Sequence, residues 1–268
     1  NSIGTMRSNK ASVFKVLEIL NQKDYIIDTK EIKPLNFEDS ISLSNIEFKY
    51  PYSKNFILKD VSLLIKKGER IGIIGKTGSG KTTITDILMG LLKPTKGSIK
   101  IDGVDLYKKN NPEILFQWRL AIAHVPQNIY LSDKTIAENI AFGIPIDKID
   151  FSKLEKVSKK AQIFDFIKSS KNKFLTKVGE NGLKLSGGQR QRIGIARALY
   201  NDAQIIFFDE ATSALDNTTE KALINSLNLL DSNLTIIIVA HRLSTIKNCD
   251  RVIKVEDFRS KKINFFNF

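Results

Sequence analysis

The chain has 268 residues, of which 42% are hydrophobic, so it can bury the core of one or two domains. Its single cysteine excludes an internal disulfide and fits a reducing compartment, and no stretch approaches the roughly 18–20 uncharged apolar residues of a membrane span. We interpret the formal net charge of +13 as Lys on solvated faces, with a surface near a membrane as the alternative, because no basic block with interleaved aromatic residues is present.

The first predicted element is an amphipathic helix from Ser8 to Asp24. Its apolar stripe consists of Val13, Phe14, Val16, Leu17 and Leu20. The polar stretch that follows contains Pro34 and is typical of a linker, and a compact domain is expected to begin near Phe37. We therefore divide the chain into residues 1–36, a helix and linker, and residues 37–268, the main domain.

Short strands are predicted at the start of this domain. The segments "ISLSNIEFKY" and "ILKDVSLLIKKGE" have the composition of two strands joined by a turn, and "GSIKIDGVDL" has the form of a hairpin around Asp102-Gly103. The segment "RIGIIG" is a short buried strand that leads into "GKTGSGKTT", and Thr83 to Leu92 is predicted to be a helix. These elements predict an antiparallel β subdomain and the first strand of a second sheet.

Helices and buried strands make up the remainder of the domain. Residues from Thr135 to Lys173 are predicted to be mostly helical, with an interruption at Pro145, and we assign about 128–195 to a helical subdomain inserted outside the sheet. The segments "AQIIFFDE" and "LTIIIVAH" are two more buried strands, separated by a helix around Thr219 to Leu230. Strands that alternate with helices indicate an α/β domain with a mainly parallel sheet.

The stretch from Gly75 to Thr82 fits the phosphate-binding pattern G-x-x-x-x-G-K-T, between a strand and an amphipathic helix. Its glycines let backbone N–H groups turn towards phosphate oxygens, Lys81 can reach the β- and γ-phosphates, and the Thr82 hydroxyl can bind Mg²⁺. The side chain of Lys76 is expected to be solvated rather than a second phosphate ligand. The predicted nucleotide-binding residues of this loop are Gly75, Lys76, Thr77, Gly78, Ser79, Gly80, Lys81, Thr82 and Thr83.

Two acidic residues stand at the end of the buried strand "IIFFD". Asp209 is placed to hold Mg²⁺, and the carboxylate of Glu210 could polarise an attacking water. Without the phosphate loop, these carboxylates would equally be interpreted as a solvated strand end. His241 follows the strand "TIIIVA", and parallel strands would bring it to the same sheet edge, where its position favours a γ-phosphate contact over the structural role of most lone histidines.

A second glycine-rich helix start, Leu185 to Gln189 with the sequence LSGGQ, would also favour an anion. With the motifs above it occurs in the order found in the nucleotide-binding domain of an ABC transporter, which the chain resembles from Phe37 to Glu256. LSGGQ matches the family signature, Gly75 to Thr82 the Walker A loop, and Asp209 and Glu210 the Walker B strand and catalytic base. The resemblance implies a P-loop NTPase, RecA-like core with an antiparallel β subdomain and an inserted α-helical subdomain.

The resemblance also assigns Tyr50 as the aromatic that stacks on adenine, and Gln127, in "HVPQN", as the Q-loop glutamine that touches Mg²⁺ or water and faces the membrane domain. Taken alone, Tyr50 could be only a strand aromatic and Gln127 only a loop amide. Ser213 to Asp216 match the D-loop, and His241 matches the switch histidine. The implied catalytic residues are Glu210, His241, Lys81 and Gln127, and the implied Mg²⁺ ligands are Thr82, Gln127 and Asp209.

The resemblance explains why one chain has two phosphate-binding helix starts. In ABC proteins two nucleotide-binding domains pack head to tail, and each ATP lies between the P-loop of one domain and the LSGGQ of the other. The chain is therefore expected to work with ATP and Mg²⁺ as a homodimer, or with a second ABC domain. The residues that would serve the partner's ATP are Leu185, Ser186, Gly187, Gly188, Gln189 and Asp216.

Two features resemble the exporters of this family. The segment "VGENG", with Glu180, is similar to the exporter X-loop, and residues 1–36 resemble the join to a preceding membrane domain. This implies an ATPase domain at the cytoplasmic face of the cell (inner) membrane, similar to those of lipid, lipid-linked oligosaccharide and peptide exporters. The family's C-terminal G-x-hydrophobic-E-x-G stretch is not recognisable, and residues 257–268 are either a truncated or divergent end, which we favour, or a basic-aromatic membrane contact.

Three other functions stay open as alternatives. A soluble ABC ATPase acting on nucleic acid or ribosomes is disfavoured because the chain has neither a tandem copy nor a coiled-coil insertion, so no specific nucleic acid is expected. An importer ATPase subunit would usually start close to the first strand, without a segment like residues 1–36. A non-hydrolysing nucleotide-binding module is disfavoured because Glu210, His241 and Gln127 are all present.

Overall fold

The computed structural model of the chain describes residues 10, 13–14, 17, 32–108, 111, 113–209, 220, 224–227, 229–240, 242–255 and 263–266. The chain divides into two compact units, Asn1–Ile32 and Lys33–Phe268, whereas the sequence placed the beginning of the main domain at Phe37. In the first unit four of the described residues are helical and exposed, Lys10, Val13, Phe14 and Leu17, whereas Ile32 is not helical and is partly buried. The remainder of the predicted helix lies outside the described residues.

The second unit is built from short strands and helices. The strands are β1 Ser40–Phe48, β2 Leu58–Lys66, β3 Arg70–Gly75, β4 Lys96–Ile101, β5 Val104–Asp105, β6 Ile122–Val125, β7 Ile205–Asp209, β8 Thr235–Val239, β9 Arg251–Val255 and β10 Ile263–Phe266. The helices with defined bounds are α1 Lys81–Leu88, α2 Ile114–Ala121, α3 Ile136–Ile140, α4 Phe151–Lys160, α5 Phe164–Ser169, α6 Gly187–Tyr200 and α7 Leu243–Ile246. None of the described helices has the length and apolar character that crossing a membrane requires.

Four strands form an antiparallel sheet in the order β2-β1-β4-β5. The predicted hairpin is confirmed: Ile101 pairs with Val104 across Asp102 and Gly103, whose φ angles of 48° and 81° suit a two-residue turn that follows the twist of the strands. The Asp102 carboxylate also accepts the backbone N–H groups of residues 38, 39 and 40 at 2.8–2.9 Å. This one side chain therefore fixes both the turn and the beginning of β1.

The central sheet has the strand order β10-β9-β3-β8-β7-β6, in which β10 is antiparallel to β9 and the other pairings are parallel. Its middle strands are nearly continuous apolar runs because both faces of the sheet are covered. The strands β6, β7, β8 and β3 end at one edge of the sheet, since parallel strands share a direction. The phosphate loop after Gly75, Asp209, and the residues after Val239 and Val125 therefore begin at that edge.

The two faces of β7 belong to different cores, because successive side chains of a strand point to opposite faces. Ile205 and Phe207 lie in a core with α1 and the antiparallel sheet, whereas Ile206 and Phe208 lie in a core with α6. The predicted class, an α/β fold with a mainly parallel sheet and an antiparallel β subdomain, is confirmed.

Three helices, α3, α4 and α5, lie in the stretch from Thr135 to Lys173 that the sequence predicted to be mostly helical. Thr135 begins α3 with a capping box, and the Asp150 carboxylate accepts the Lys153 N–H at the start of α4 at 3.0 Å. A loop with Pro145 separates the two helices, as predicted. The apolar sides of these helices share a core with α6, so the insertion packs as one body with the signature helix.

Trp118, on α2, connects the antiparallel side of the fold to the end of α1. Its ring is fully buried, and its indole Nε1–H donates to the Leu88 carbonyl oxygen at 2.9 Å. We expect Trp118→Phe to lower the free energy of unfolding by about 1–3 kcal/mol, because a buried acceptor loses its donor. The exposed Leu120→Ala on the same helix should cost no more than about 0.5 kcal/mol. Urea unfolding followed by circular dichroism measures both, and equal losses would contradict the prediction.

Candidate active site

The phosphate loop joins β3 to α1, and its shape depends on glycine. A Cβ on Gly75 would lie 2.3 Å from the Val255 carbonyl oxygen on the neighbouring strand, closer than any side chain allows. Gly80 has a φ of 100°, which L side chains rarely adopt, and it immediately precedes the first residue of α1. The backbone is thus free to bend inwards before the helix, whose first N–H groups face the loop.

Lys81 lies inside this loop and is only 6% exposed. Its Nζ donates to the Gly75 carbonyl oxygen at 2.9 Å and to the Lys76 carbonyl oxygen at 3.1 Å. The hydroxyl of Ser79 is also buried, and it has no hydrogen-bond partner within the part of the chain that the structure describes. A buried ammonium and an unsatisfied hydroxyl in one loop suit a ligand that supplies several oxygen atoms, as a phosphate does.

The other predicted residues of the loop differ in exposure. Lys76, Thr77 and Thr82 are exposed, whereas Thr83 is buried. The hydroxyls of Thr83 and Tyr50 lie 3.2 Å apart, so Tyr50 contacts the first turn of α1. The ring of Tyr50 meets the ring of Phe48 edge to face, with 5.0 Å between the centroids. The structure therefore brings the predicted adenine-stacking aromatic next to α1.

Asp209 is half-buried at the edge of the sheet, where it forms an electrostatic cluster with Asp86 and His124. Burial raises the pKa of Asp86. The charge of His124 opposes that rise, whereas the charge of Asp209 adds to it. Desolvation lowers the pKa of His124, and the charges of Asp209 and Asp86 oppose that shift. Two carboxylates and an imidazole thus influence one another's charge at this edge of the sheet.

The sequence interpretation missed Asp86 and His124. Asp86 follows Thr82 by one helical turn, so the two side chains share one face of α1. His124 pairs in register with Phe207, which places it on the face of the sheet that α1 covers. A polar residue inside the apolar segment "AIAHV" was the available signal, but it has meaning only once this segment is known to be a strand.

The loop that carries Gln127 is exposed and is hydrogen-bonded to α6. The Nε2 of Gln191 donates to the Gln127 carbonyl oxygen at 2.7 Å, and Gln191 is buried. A cleft of about 460 Å³ lies beside this contact, and exposed side chains of Tyr130 and Leu183 line it. The loop after β6 and the signature helix are therefore directly connected, a link that the sequence did not reveal.

Ser186 stands at the beginning of α6 and is exposed. Its Oγ accepts the Gln189 N–H at 3.2 Å, while Gln189 Oε1 accepts the Ser186 N–H at 2.8 Å, a reciprocal capping box. Leu185 and Gly188 are buried on either side, and Gly187 is partly exposed. The signature is thus a rigid, outward-facing helix start on a different element from the phosphate loop.

Several predicted residues lie outside the described part of the chain: Glu210, Ser213 to Asp216 and His241. Asp209 and Glu220 are the described residues on either side of the first two, and Ala240 and Arg242 flank His241. Asp209 ends β7, and the Ala240 N–H donates to the Ile73 carbonyl oxygen at 3.1 Å. Asp209 and Ala240 therefore lie at the sheet edge from which the phosphate loop also starts.

The oxygen ligands available at this edge of the sheet suit a magnesium ion. Thr82 offers a hydroxyl, Gln127 an amide oxygen and Asp209 a carboxylate, and hard oxygen ligands of this kind are the ones that Mg²⁺ prefers. Nucleotide sites with a phosphate loop hold the ion with one or two protein oxygens together with phosphate oxygens.

Comparisons with known proteins agree with this geometry. A family profile described as ABC transporter matches residues 58–213. The ATP-dependent lipid A-core flippase of Pseudoalteromonas translucida is 40% identical over 250 residues, which are 92% of this chain and 41% of that protein. The alpha-hemolysin translocation ATP-binding protein HlyB of Escherichia coli O157:H7 is 39% identical over 246 residues, 92% of this chain and 34% of that protein.

A solved structure of a bacterial Atm1-family ABC exporter with ATP bound superposes with a TM-score of 0.78 at 33% identity. The match covers 97% of this chain and 44% of that one. The chain thus spans about two fifths or less of the length of the curated relatives named here, 41% and 34% respectively.

Proposed function

Because the chain belongs to the ABC transporter family, we propose that it binds and hydrolyses ATP as the nucleotide-binding domain of a membrane exporter. The observation that carries the proposal is the buried Lys81 ammonium, held by two carbonyls of a glycine loop that starts at the same sheet edge as Asp209. The family that the motifs indicated is confirmed by the match over residues 58–213.

Lys81 binds the nucleotide by exchanging its carbonyl acceptors for phosphate oxygens. Its present acceptors, the carbonyls of Gly75 and Lys76, are neutral, whereas the β- and γ-phosphate oxygens of ATP are charged. The bonds to the carbonyls already have a charged donor, and a phosphate acceptor adds the attraction between opposite charges, so the exchange favours the bound state. The N–H groups of the loop and of the first turn of α1 add further donors to the phosphates.

Hydrolysis follows from the groups at the carboxyl edge of the sheet. Glu210 orients a water for in-line attack on the γ-phosphate, and His241 donates a hydrogen bond to the transferring phosphoryl group. Thr82, Gln127 and Asp209 hold Mg²⁺, which neutralises charge on the phosphate oxygens when it is bound. Lys81 stabilises the charge that develops on the γ-phosphate oxygens as the bond to the leaving group breaks.

Two copies of the chain pack head to tail around ATP in this proposal. The exposed Ser186 at the start of α6 supports it, because the N-terminus of a helix favours an anion. The start of α6 then binds the γ-phosphate held by the P-loop of the partner. Loss of that phosphate removes the shared ligand, so hydrolysis reopens the dimer.

The exporter assignment rests on what the chain resembles. The flippase, the translocation ATP-binding protein and the solved exporter named above all act in export or translocation by their printed names. We propose that residues 1–36 join the domain to a membrane domain, at the cytoplasmic face of the inner membrane. The cleft beside Gln127, with exposed Tyr130 and Leu183, is the surface that we assign to contact with that membrane domain.

Release of inorganic phosphate from ATP by the purified chain tests the proposed function. The rate should rise with the square of the chain concentration below the dimer Kd, because each site needs a second copy. Removal of Mg²⁺ with EDTA should abolish it, since the phosphate charges are then no longer neutralised. Absence of EDTA-sensitive release would contradict the proposal, and strongly salt-dependent binding of DNA or RNA would favour the soluble ATPase instead.

A further inference from the structure

Glu220 is a buried carboxylate that the proposed chemistry does not use. It is 4% exposed and lies in a helical part of the chain. It accepts hydrogen bonds from Arg242 Nη1 at 2.5 Å, Ser244 Oγ at 2.7 Å and Thr245 Oγ1 at 3.2 Å. Three donors on one buried carboxylate make a stiff contact, because the loss of any one of them would leave a buried charge less fully hydrogen-bonded.

The charge of Glu220 persists at neutral pH. Burial raises the pKa of its carboxyl, but the hydrogen bonds from Ser244, Arg242 and Thr245 and the charge of Arg242 outweigh that effect. The pKa of Glu220 therefore lies below its ordinary value, and the side chain is an anion throughout the range in which an ATPase works.

The hydrogen bonds of Glu220 join two parts of the chain, each of which follows predicted catalytic residues. Glu220 stands at the downstream end of residues 210–219, which contain Glu210 and Asp216. Its donors stand directly downstream of His241. On the upstream sides, Asp209 is fixed in register beside Val239, and the N–H of Ala240 is bonded to β3. The described residues before and after these two segments are therefore held by strand pairing or hydrogen bonds, and Glu220 takes part in the contact on the downstream side of both.

We propose that Glu220 is a positioning residue that holds the segment carrying His241 at a fixed spacing from the segment carrying Glu210 and Asp216. The proposal rests on the proposed function, because it concerns the residues that face the γ-phosphate. Groups that take part in phosphoryl transfer act through placement and charge rather than covalent bonds, so a loosened anchor lowers the rate without removing a ligand.

A second Glu–Arg pair offers a matched control. Glu69 accepts from Arg251 Nη2 at 3.1 Å and from the Lys66 N–H at 2.9 Å, and both ion-pair side chains are largely buried. Glu69 directly precedes β3 and Arg251 begins β9, so this pair lies at the amino end of the parallel strands. It resembles the Glu220 contact chemically but stands at the opposite end of the sheet from the phosphate loop.

The test compares Glu220→Gln with Glu69→Gln in ATP turnover, ATP affinity and backbone hydrogen exchange. We expect Glu220→Gln to lower kcat about tenfold or more while the Kd for ATP stays within about twofold, because the phosphate loop is untouched. Without nucleotide, the peptide over residues 236–246 should exchange faster in Glu220→Gln. Glu69→Gln should leave both kcat and the exchange of this peptide close to wild type.

Ser244→Ala removes one of the three hydrogen-bond donors to Glu220, and Ser244 itself is exposed. It is a milder variant that can be used if Glu220→Gln does not fold. It should lower kcat by about twofold to fivefold and raise exchange over the same peptide. Equal kcat losses in Glu220→Gln and Glu69→Gln, or unchanged exchange in both Glu220→Gln and Ser244→Ala, would overturn the proposal. Absence of turnover in the wild-type chain would contradict the proposed function instead, and the exchange measurement would still decide whether Glu220 anchors the segment.

Discussion

The Lys81→Ala chain is expected to lose ATP turnover by about a hundredfold or more. The substitution removes the one ammonium group that the phosphate loop encloses, and with it the charge that stabilises the transferring phosphoryl group. Binding should weaken as well, because in the proposed function Lys81 contacts the phosphates both in the ground state and in the transition state. Phosphate release at saturating ATP and the Kd for ATP measure the two effects separately.

Lys76→Ala is the matched control for this prediction. Lys76 lies in the same loop and has the same charge, but its side chain is exposed, whereas Lys81 is buried. Loss of Lys76 should change turnover by no more than about twofold, since an exposed charge is screened by solvent and salt. Lys81→Met keeps much of the buried stem and should be as inactive as Lys81→Ala. Similar activity of the Lys76 and Lys81 variants would show that the loop does not bind phosphate through its enclosed lysine.

Glu210→Gln is expected to convert the chain into a stable dimer when Mg²⁺ and ATP are saturating. The variant keeps every group proposed to bind ATP but lacks the carboxylate proposed to activate water, so we expect the shared γ-phosphate to be retained. A shift from about 1:99 to 99:1 dimer requires about 10⁴-fold preferential binding of ATP to the closed state. Light scattering should show a doubled mass with Mg-ATP and the monomer mass with ADP. A monomer with Mg-ATP would contradict both the role of Glu210 and the head-to-tail dimer.

The start of α6 can be tested in the same background. Ser186 is exposed at the N-terminus of α6, so adding Ser186→Arg to Glu210→Gln puts a bulky cation where the partner's γ-phosphate is expected. The double variant should return to a monomer. Ser169→Arg is the matched control, because Ser169 is also an exposed serine of the inserted helices. It should leave the trapped dimer intact, and dissociation by both arginines alike would indicate that added charge alone weakens association.

Local sequence was enough to predict the parts of the fold whose shape depends on neighbouring residues. The Asp102-Gly103 turn needs two positive φ values, and Asp-Gly is a sequence that provides them. The phosphate loop needs glycine where the Val255 carbonyl comes close, and the run "RIGIIG" before it is apolar on both faces. These signals lie within a few residues of one another, so they could be interpreted without knowledge of the rest of the chain.

Short strands with mixed composition were not predicted. β6, Ile122–Val125, contains His124, and β9, Arg251–Val255, contains two basic residues. Segments of four or five residues are strands only because β7 and β3 lie beside them and accept their hydrogen bonds. Their pattern alone does not distinguish them from loops, since side-chain burial on the sheet is decided by the partner strand.

The sequence by itself determined the family, the α/β class, the phosphate loop and the order of the motifs, because each of these is written in contiguous residues. Only the tertiary structure decided that Asp86 and His124 interact with Asp209, that Gln191 bonds to the Gln127 loop, and that Arg242 bonds to Glu220. These contacts join residues far apart in the chain, and their energies arise from burial and desolvation. Neither quantity exists until the sheet has brought the segments together.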